Sequence, residues 1–487
     1  MNIIRDNIDT VELFGKDRAQ EDKNLKHYFI KTSQFSQIAS GSRELVLGRK
    51  GSGKSAIFQA LVDEEEAHNE IPVKISFDGE DFIFIHNLLQ KNDVGDVVSD
   101  DFKYSLAWKD FIISEIVYSA LSRVDKLDSV LKRFLSENGL IREKTWEKFA
   151  NSLLKVIKGA KLQGTSGEID FDLEGLSNLI EADQIKLRDS INNLIRKNSF
   201  FVLIDNLDEP WKNSSEMNAW LRGLIYAIRQ LKREFNNLKM VAFLRTDIFD
   251  IISKGSDLFD SKSEITTINW DDNDFFNLKL LVASRIAFYF KKPLPSDYHQ
   301  VQELWDIVFP NTLHYGYAHT ALLSDYIIER TFRRPRELLQ FCRQIVSEGK
   351  SKYLPVEENS ISPAEITYSD WKLTDLSGEY SQSYQHIDSC ILSFVGAKTA
   401  WDWPCQSIID HLETCDDNDI ILDSNTGKSI STKACVEVLY KTGFFRKVIK
   451  KPGQRTKYRM YYQDPTINYQ NTVFDIHPAF RKKFVQY

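Results

Sequence analysis

The sequence lacks most of what would mark a secreted, membrane-spanning or metal-stapled chain. Its 487 residues include only five cysteines, Cys342, Cys390, Cys405, Cys415 and Cys435. They are odd in number, widely spaced, and form no CxxC pair, so neither a zinc site nor a disulfide framework is indicated. Buried thiols in a reducing cytosol are the plain reading. No uncharged apolar run approaches the ~18 residues that a spanning helix needs. The opening stretch, MNIIRDNIDTVELFGKDRAQ, has no apolar core of the kind a secretory leader carries. A soluble, cytoplasmic protein with no membrane contact is therefore expected. The net charge is -7, which excludes a global positive field drawing the chain to nucleic acid or acidic lipid. Any such binding must come from a local patch. Internal repeats and low-complexity segments are missing, as is a carboxylate cluster of nuclease type.

What is present is a large supply of core material. Apolar residues make up 42% of the chain, with 31 Phe, enough for two to four domains. ELVLG (44–48) reads as a short strand, SAIFQALVDEEEA as a helix, and PVKISF (72–77) as a second strand. This order opens an α/β nucleotide-binding core. FFVLI (200–204) and MVAFL (240–244) are apolar on both faces, as central parallel strands are. Between these halves, residues 85–198 carry amphipathic helical patterns, broken at GAKLQGTSGEIDFD (159–172), where a loop or small hairpin is expected. The domain boundaries expected are 1–84 for the lead-in and first part of the core, 85–198 for the helical insertion, and 199–269 for the rest of the core. A helical lid follows at 270–350, a polar linker at 351–382 and a small C-terminal unit at 383–487.

The pattern G-x-x-x-x-G-K-[ST] is met in full by Gly48, Gly53, Lys54 and Ser55. Glycines allow the backbone to wrap a phosphate, and successive N–H groups then point inward as a nest at a helix's positive end. The loop and helix start, Gly48, Arg49, Lys50, Gly51, Ser52, Gly53, Lys54, Ser55 and Ala56, form the candidate nucleotide site. Lys54 would reach the β- and γ-phosphates, and the Ser55 hydroxyl would ligate Mg²⁺. A carboxylate at the end of a second strand completes such a site, and FVLID supplies Asp205. Asp208 and Glu209 follow. Either could polarise an attacking water, Glu209 ahead of Asp208, or both could simply favour a helix N-terminus ahead of Pro210. Arg245 ends the third apolar strand, where ligand-facing residues collect. It could sense a γ-phosphate or form a structural bridge to Asp247 or Asp250. In RTFRRPRELLQFC, Arg330, Arg333, Arg334 and Arg336 crowd a helix start where the dipole disfavours cations. A γ-phosphate or a neighbouring acidic group would compensate them, with Arg336 the leading nucleotide contact. No NKxD base-reading motif is present, which favours ATP over GTP.

Residues 383–463 contain three short helical patterns and then two strands, FFRKVIKK and TKYRMYYQ, joined across PGQR. This reads as a winged helix. Seven basic residues and no acidic one lie between Arg446 and Arg459. Lys450, Lys451, Arg455, Lys457 and Arg459 are the candidate DNA-binding set, with Tyr458, Tyr461 and Tyr462 interleaved. A protein-docking role competes with that reading.

Together these segments resemble AAA+/STAND-like bacterial P-loop ATPases, and more closely the "P-loop ATPase, Sll1717-type" family. The similarity rests on LKHYFIKTSQFSQIASGSRELVLGRKGSGKSAIF, FVLIDNLDEPW, FLRTDIFD and RRPRELLQF. It implies an α/β P-loop NTPase core with a parallel sheet, helical insertion, helical lid and C-terminal winged-helix-like domain. Gly48, Gly53, Lys54 and Ser55 would be Walker A, Asp205 Walker B, Arg245 the sensor 1 region and Arg336 a sensor 2-like position. The implied activity is an ATP- and Mg²⁺-dependent switch, a homo-oligomer or the partner of a separate effector, as in prokaryotic antiviral defence systems. A DNA-stimulated ATPase and a non-hydrolysing scaffold are the alternatives. One departure is the gap of 150 residues between Ser55 and Asp205, wide for a compact module of this kind.

Overall fold

The computed structural model describes residues 3–67, 70–77, 100–121, 123–124, 127–137, 181–208, 211, 213–254, 256–270, 275–315, 319–396, 401–416, 419–424, 426–451, 453 and 456–484. The break expected at 159–172, Glu209 and Arg455 lie outside these residues. Contacts divide the chain into two compact units. One comprises Arg18–Lys26 and Lys31–Asn269; the other comprises Met1–Asp17, His27–Ile30 and Trp270–Tyr487.

The first unit is built on a five-stranded parallel sheet. Its strands are β1 (Leu45–Leu47), β2 (Ile71–Ser76), β3 (Phe200–Asp205), β4 (Lys239–Leu244) and β5 (Ile265–Thr267). The spatial order is β2-β3-β4-β1-β5. β3 is buried at every position, which is why its sequence shows no alternation of apolar and polar residues. The register pairs Leu47 with Leu244, Ile204 with Ala242, and Ser76 with Asp205. Because all five strands run the same way, the residues that follow β1, β3 and β4 emerge at one edge of the sheet.

Helices cover the sheet. Lys54–Ala67 leaves the loop after β1. Asp100–Ala120 packs along Ser215–Glu234, where the Trp108 indole N–H donates to the Trp220 carbonyl at 3.0 Å. An Arg222–Asp101 fork, with both hydrogen bonds at 2.8 Å, ties the same two helices at their half-buried flank. Ser129–Glu137 and Glu181–Lys197 are the other described helices of the stretch expected as an insertion.

The second unit is mainly helical. Phe276–Tyr289, Tyr298–Val308, Leu323–Glu329 and Pro335–Glu348 form its first part, with a hairpin of β6 (Thr312–Tyr315) and β7 (His319–Leu322). The linker expected at 351–382 is corrected here. Residues Ile361–Tyr380 form a continuous helix that packs against Pro335–Glu348. Its sequence misleads because the buried face carries charge: Glu365, Lys372 and Glu379 are 2%, 0% and 4% exposed. Pro363 lies in the first turn, where a missing N–H costs nothing.

Three helices, Ile387–Leu392, Cys405–Glu413 and Thr432–Thr442, then precede the antiparallel pair β8 (Phe445–Ile449) and β9 (Lys457–Arg459). β10 (Val473–Ile476) joins the other side of β8. The lead-in expected within 1–84 is also divided. Leu13 and Phe14 are buried in the core of the helical unit, and Arg285 donates to the Phe14 carbonyl at 3.0 Å. Arg343 grips the Gly15 carbonyl and the Asp17 carboxylate. No described helix is long and apolar enough to cross a membrane.

Candidate nucleotide site

The site begins at the end of β1, where the chain must turn sharply into the Lys54–Ala67 helix. Gly53 takes φ +99°, a conformation that a side chain would strain. Gly48 is needed for space: a Cβ there would stand 2.3 Å from Ser52 Oγ and 3.2 Å from Lys54 Cγ. The Gly48 N–H donates to the Leu244 carbonyl at 3.1 Å, which pins the loop to the end of β4. Lys54 is 8% exposed and folds back, its Nζ donating to the Gly48 carbonyl at 3.1 Å.

The end of β3 comes to the same edge. Asp205 is 1% exposed. Burial pushes its carboxyl up to about 6, opposed by hydrogen bonds from the Asn206 backbone N–H and the Ser55 side chain. The Asp208 charge raises it further, and Lys54 lowers it. The structure thus brings the Ser55 side chain close enough to Asp205 to lower its pKa, across 150 residues of sequence. Asp205 Oδ2 is buried without a hydrogen-bond partner. A buried carboxylate oxygen in that state is costly unless something pairs with it. A hydroxyl and a carboxylate side by side are oxygen donors of the kind that Mg²⁺ takes, with water and phosphate completing its shell. They fit the cation expected there. Among the described residues, no group of three or more His, Cys, Asp or Glu side chains could hold a metal by itself.

After Asp205 the chain reverses. Asn206 adopts the left-handed conformation, φ 59°, which Asn tolerates better than other side chains. Its amide donates to Ser76 Oγ at 3.1 Å. The sequence reading passed over this residue, although an Asn just beyond a buried strand is a turn signal. The reversal returns Asp208 toward the loop, with Oδ2 at 3.9 Å from Lys54 Nζ. The same oxygen is 3.9 Å from Arg245 Nε.

Arg245, at the end of β4, is held by a fork to Asp247, with hydrogen bonds of 3.0 and 2.6 Å. The structural bridge and the approach to the phosphate loop therefore coexist in one side chain. The glycine-rich loop, Asp205, Asp208 and Arg245 all meet at one edge of the sheet.

Arg336 belongs to the other unit. It pairs with Asp375 at 3.3 Å and lies 5.8 Å from the Trp371 ring centroid. Two of the crowded arginines around it find their anions on the Ile361–Tyr380 helix. Arg330 Nε donates to Glu365 at 2.7 Å, and Arg334 Nη1 donates to Glu379 at 2.8 Å. Acidic side chains about 35 to 45 positions away supply the compensation.

The basic C-terminal hairpin is more neutralised than its sequence suggests. Lys450 pairs with Asp402 at 2.6 Å and Lys447 with Asp464 at 2.7 Å. Arg446 lies 3.4 Å over the Tyr458 ring and 3.6 Å from Asp475. Lys451, Lys457 and Arg459 are exposed. The cysteines are free, with Cys342, Cys390, Cys405 and Cys435 buried and Cys415 half-buried.

Comparison with known proteins gives two similarities. A family described as the FunZ-associated C-terminal helical domain matches residues 277–377. This match runs from the first helices of the helical unit through most of the Ile361–Tyr380 helix. The chain is also 26% identical over 395 residues, 78% of its length, to the transposon gamma-delta 80.3 kDa protein of Escherichia coli (strain K12). It covers 53% of that protein, so it spans about half the length of this relative.

Proposed function

We propose that the protein binds ATP with Mg²⁺, hydrolyses it slowly, and acts as a nucleotide-dependent switch, assembling with copies of itself or with a separate effector. The observation that carries this reading is the Ser55–Asp205 contact at the mouth of the phosphate loop, with a buried carboxylate oxygen still to be satisfied. The strand order supports the finer assignment of an AAA+/STAND-like core, because β4 lies between β1 and β3 and so carries Arg245 beside both.

Each residue then has a task. The loop N–H groups and Lys54 hold the phosphates. Ser55 and Asp205 would hold Mg²⁺, which would supply charge neutralisation for the phosphates. Asp208, with Glu209 beside it in sequence, orients a water for attack on the γ-phosphate. Arg245 stabilises the charge that develops there, its guanidinium kept in place by Asp247.

Calorimetric titration of the wild type and Asp205→Asn with ATP, with and without Mg²⁺, tests the reading. Turnover and light-scattering mass are read on the same samples. The wild type should bind more tightly with Mg²⁺, and Asp205→Asn should lose that difference. A wild type that binds no nucleotide overturns the reading. Binding with no turnover favours the scaffold alternative.

A second reading has its own support. Lys451, Lys457 and Arg459 are exposed on and beside a hairpin that follows three helices, an arrangement that supports a winged helix contacting the DNA backbone. The name of the transposon relative is in keeping with a DNA-associated ATPase. Turnover that rises on adding double-stranded DNA, and falls again with salt, would favour it.

A further inference from the structure

We infer that Asp208 stands in for the terminal phosphate when the nucleotide is absent, and that a triphosphate must displace it to bind. The inference rests on the phosphate-site reading above. A single carboxylate oxygen, Asp208 Oδ2, is 3.9 Å from Lys54 Nζ and 3.9 Å from Arg245 Nε. These two cations come from different strand ends, and they are the two assigned to the γ-phosphate. A carboxylate offers an ammonium and a guanidinium the same charged oxygens that a phosphoryl group does.

Burial makes the position matter. The side chains of Lys54, Arg245 and Asp208 are 9%, 14% and 19% exposed, so water screens their charges only in part. The loop N–H groups and the start of the Lys54–Ala67 helix add to the positive potential at this spot. An anion drawn from the chain itself offsets that potential. Asn206 makes the placement possible, since its left-handed turn brings the chain back.

The consequence is a built-in distinction between nucleotides. A triphosphate competes with Asp208 for both Lys54 and Arg245, whereas a diphosphate reaches only Lys54 and leaves Arg245 to it. Displacement also bears on Trp211, whose backbone N–H donates to the Asp208 carbonyl at 3.4 Å. Trp211 is 4% exposed and hydrogen-bonded to Asn218 of the Ser215–Glu234 helix at 3.2 Å. The arrival of the terminal phosphate is thereby coupled to a helix that packs on the sheet.

The test compares Asp208→Asn and Asp208→Ser with the wild type, by calorimetric titration with Mg²⁺ and either a non-hydrolysable ATP analogue or ADP. Both variants should bind the triphosphate analogue about tenfold more tightly, the worth of one partly buried charge pair. Affinity for ADP should stay within about twofold of the wild type. Melting without nucleotide confirms that each variant is folded, and the serine variant serves if the asparagine variant is not. Unchanged or weaker binding of the analogue in the folded variants overturns the inference, because a group that only orients water does not compete for the site. A wild type that binds neither nucleotide is a different result and sinks the phosphate-site reading instead.

Discussion

The buried ion pair Arg334–Glu379 makes a sharp prediction about what holds the helical unit together. Arg334 and Glu379 are 2% and 4% exposed, and their hydrogen bond is 2.8 Å long. Arg334 also stands 3.6 Å from Glu337, which accepts from Lys372 at 2.9 Å and from the Phe332 N–H at 2.6 Å. Replacing Arg334 with Met keeps most of the volume but takes a hydrogen-bonded cation away from a buried carboxylate, which should cost about 3–5 kcal/mol. Glu337 keeps its hydrogen bonds from Lys372 and the Phe332 N–H. The double variant Arg334→Met/Glu379→Met removes both charges and should recover most of the loss, ending within ~1 kcal/mol of the wild type or above it. For a unit of this size the single variant should lower the melting temperature by roughly 10 °C. Scanning calorimetry of the four proteins of the cycle, read on the transition that Arg334→Met moves, gives the coupling directly. A single variant that costs under ~1 kcal/mol, or a double variant as damaged as the sum of the singles, refutes the reasoning.

Other outcomes follow from the same structure. His477 is buried, accepts from the Ala479 N–H at 3.1 Å, and is kept well below the usual histidine range by burial and then by Arg446, Arg481, Arg333 and Lys372. It therefore stays neutral when folded and takes up a proton on unfolding below pH ~6.5, so it should cost stability at about 1.4 kcal/mol per pH unit as pH falls. Urea unfolding between pH 7.5 and 5 should show this slope in the wild type and a shallower one in His477→Asn; equal slopes would reject it. Lys54→Ala should weaken ATP binding at least tenfold in a calorimetric titration without lowering the melting temperature by more than a few degrees, since its hydrogen bonds are to loop carbonyls. Lys457→Ala with Arg459→Ala should reduce the salt dependence of DNA binding by about two log–log units if the hairpin contacts phosphates. An unaltered slope in a filter-binding series would remove that role.

What the sequence made legible was local. The glycine-rich turn from β1 into its helix sits on a fixed spacing, and β1, β3 and β4 are continuous apolar runs, so both could be read without knowing what lies beside them. Asp205 was readable because the strand leading into it ends there. The parts that escaped depend on partners remote in sequence. The Ile361–Tyr380 helix was hard to read because its buried face carries Glu365, Lys372 and Glu379, whose hydrogen-bonding partners lie on other elements. The same pairing explains the arginine crowd. Its excess charge was real, and the acidic groups answering it sit one helix further on. Asp208's position between Lys54 and Arg245 required the turn at Asn206, which a motif search does not weigh. β5, Ile265–Thr267, carries a single apolar residue and is only partly buried, so it does not stand out from the loops around it.

The anchoring of Leu13 and Phe14 in the helical unit bears on how the chain can be synthesised. These residues leave the ribosome early, yet Arg285 and Arg343, which grip the carbonyls of Phe14 and Gly15, are translated some 270 and 330 positions later. Until then two large apolar side chains have no core to enter, while the parallel sheet between them in sequence is already being assembled. Folding in order of translation cannot complete the helical unit. Its closure must be a late event that draws both halves of the chain together, and the early segment is where a chaperone would find its handle.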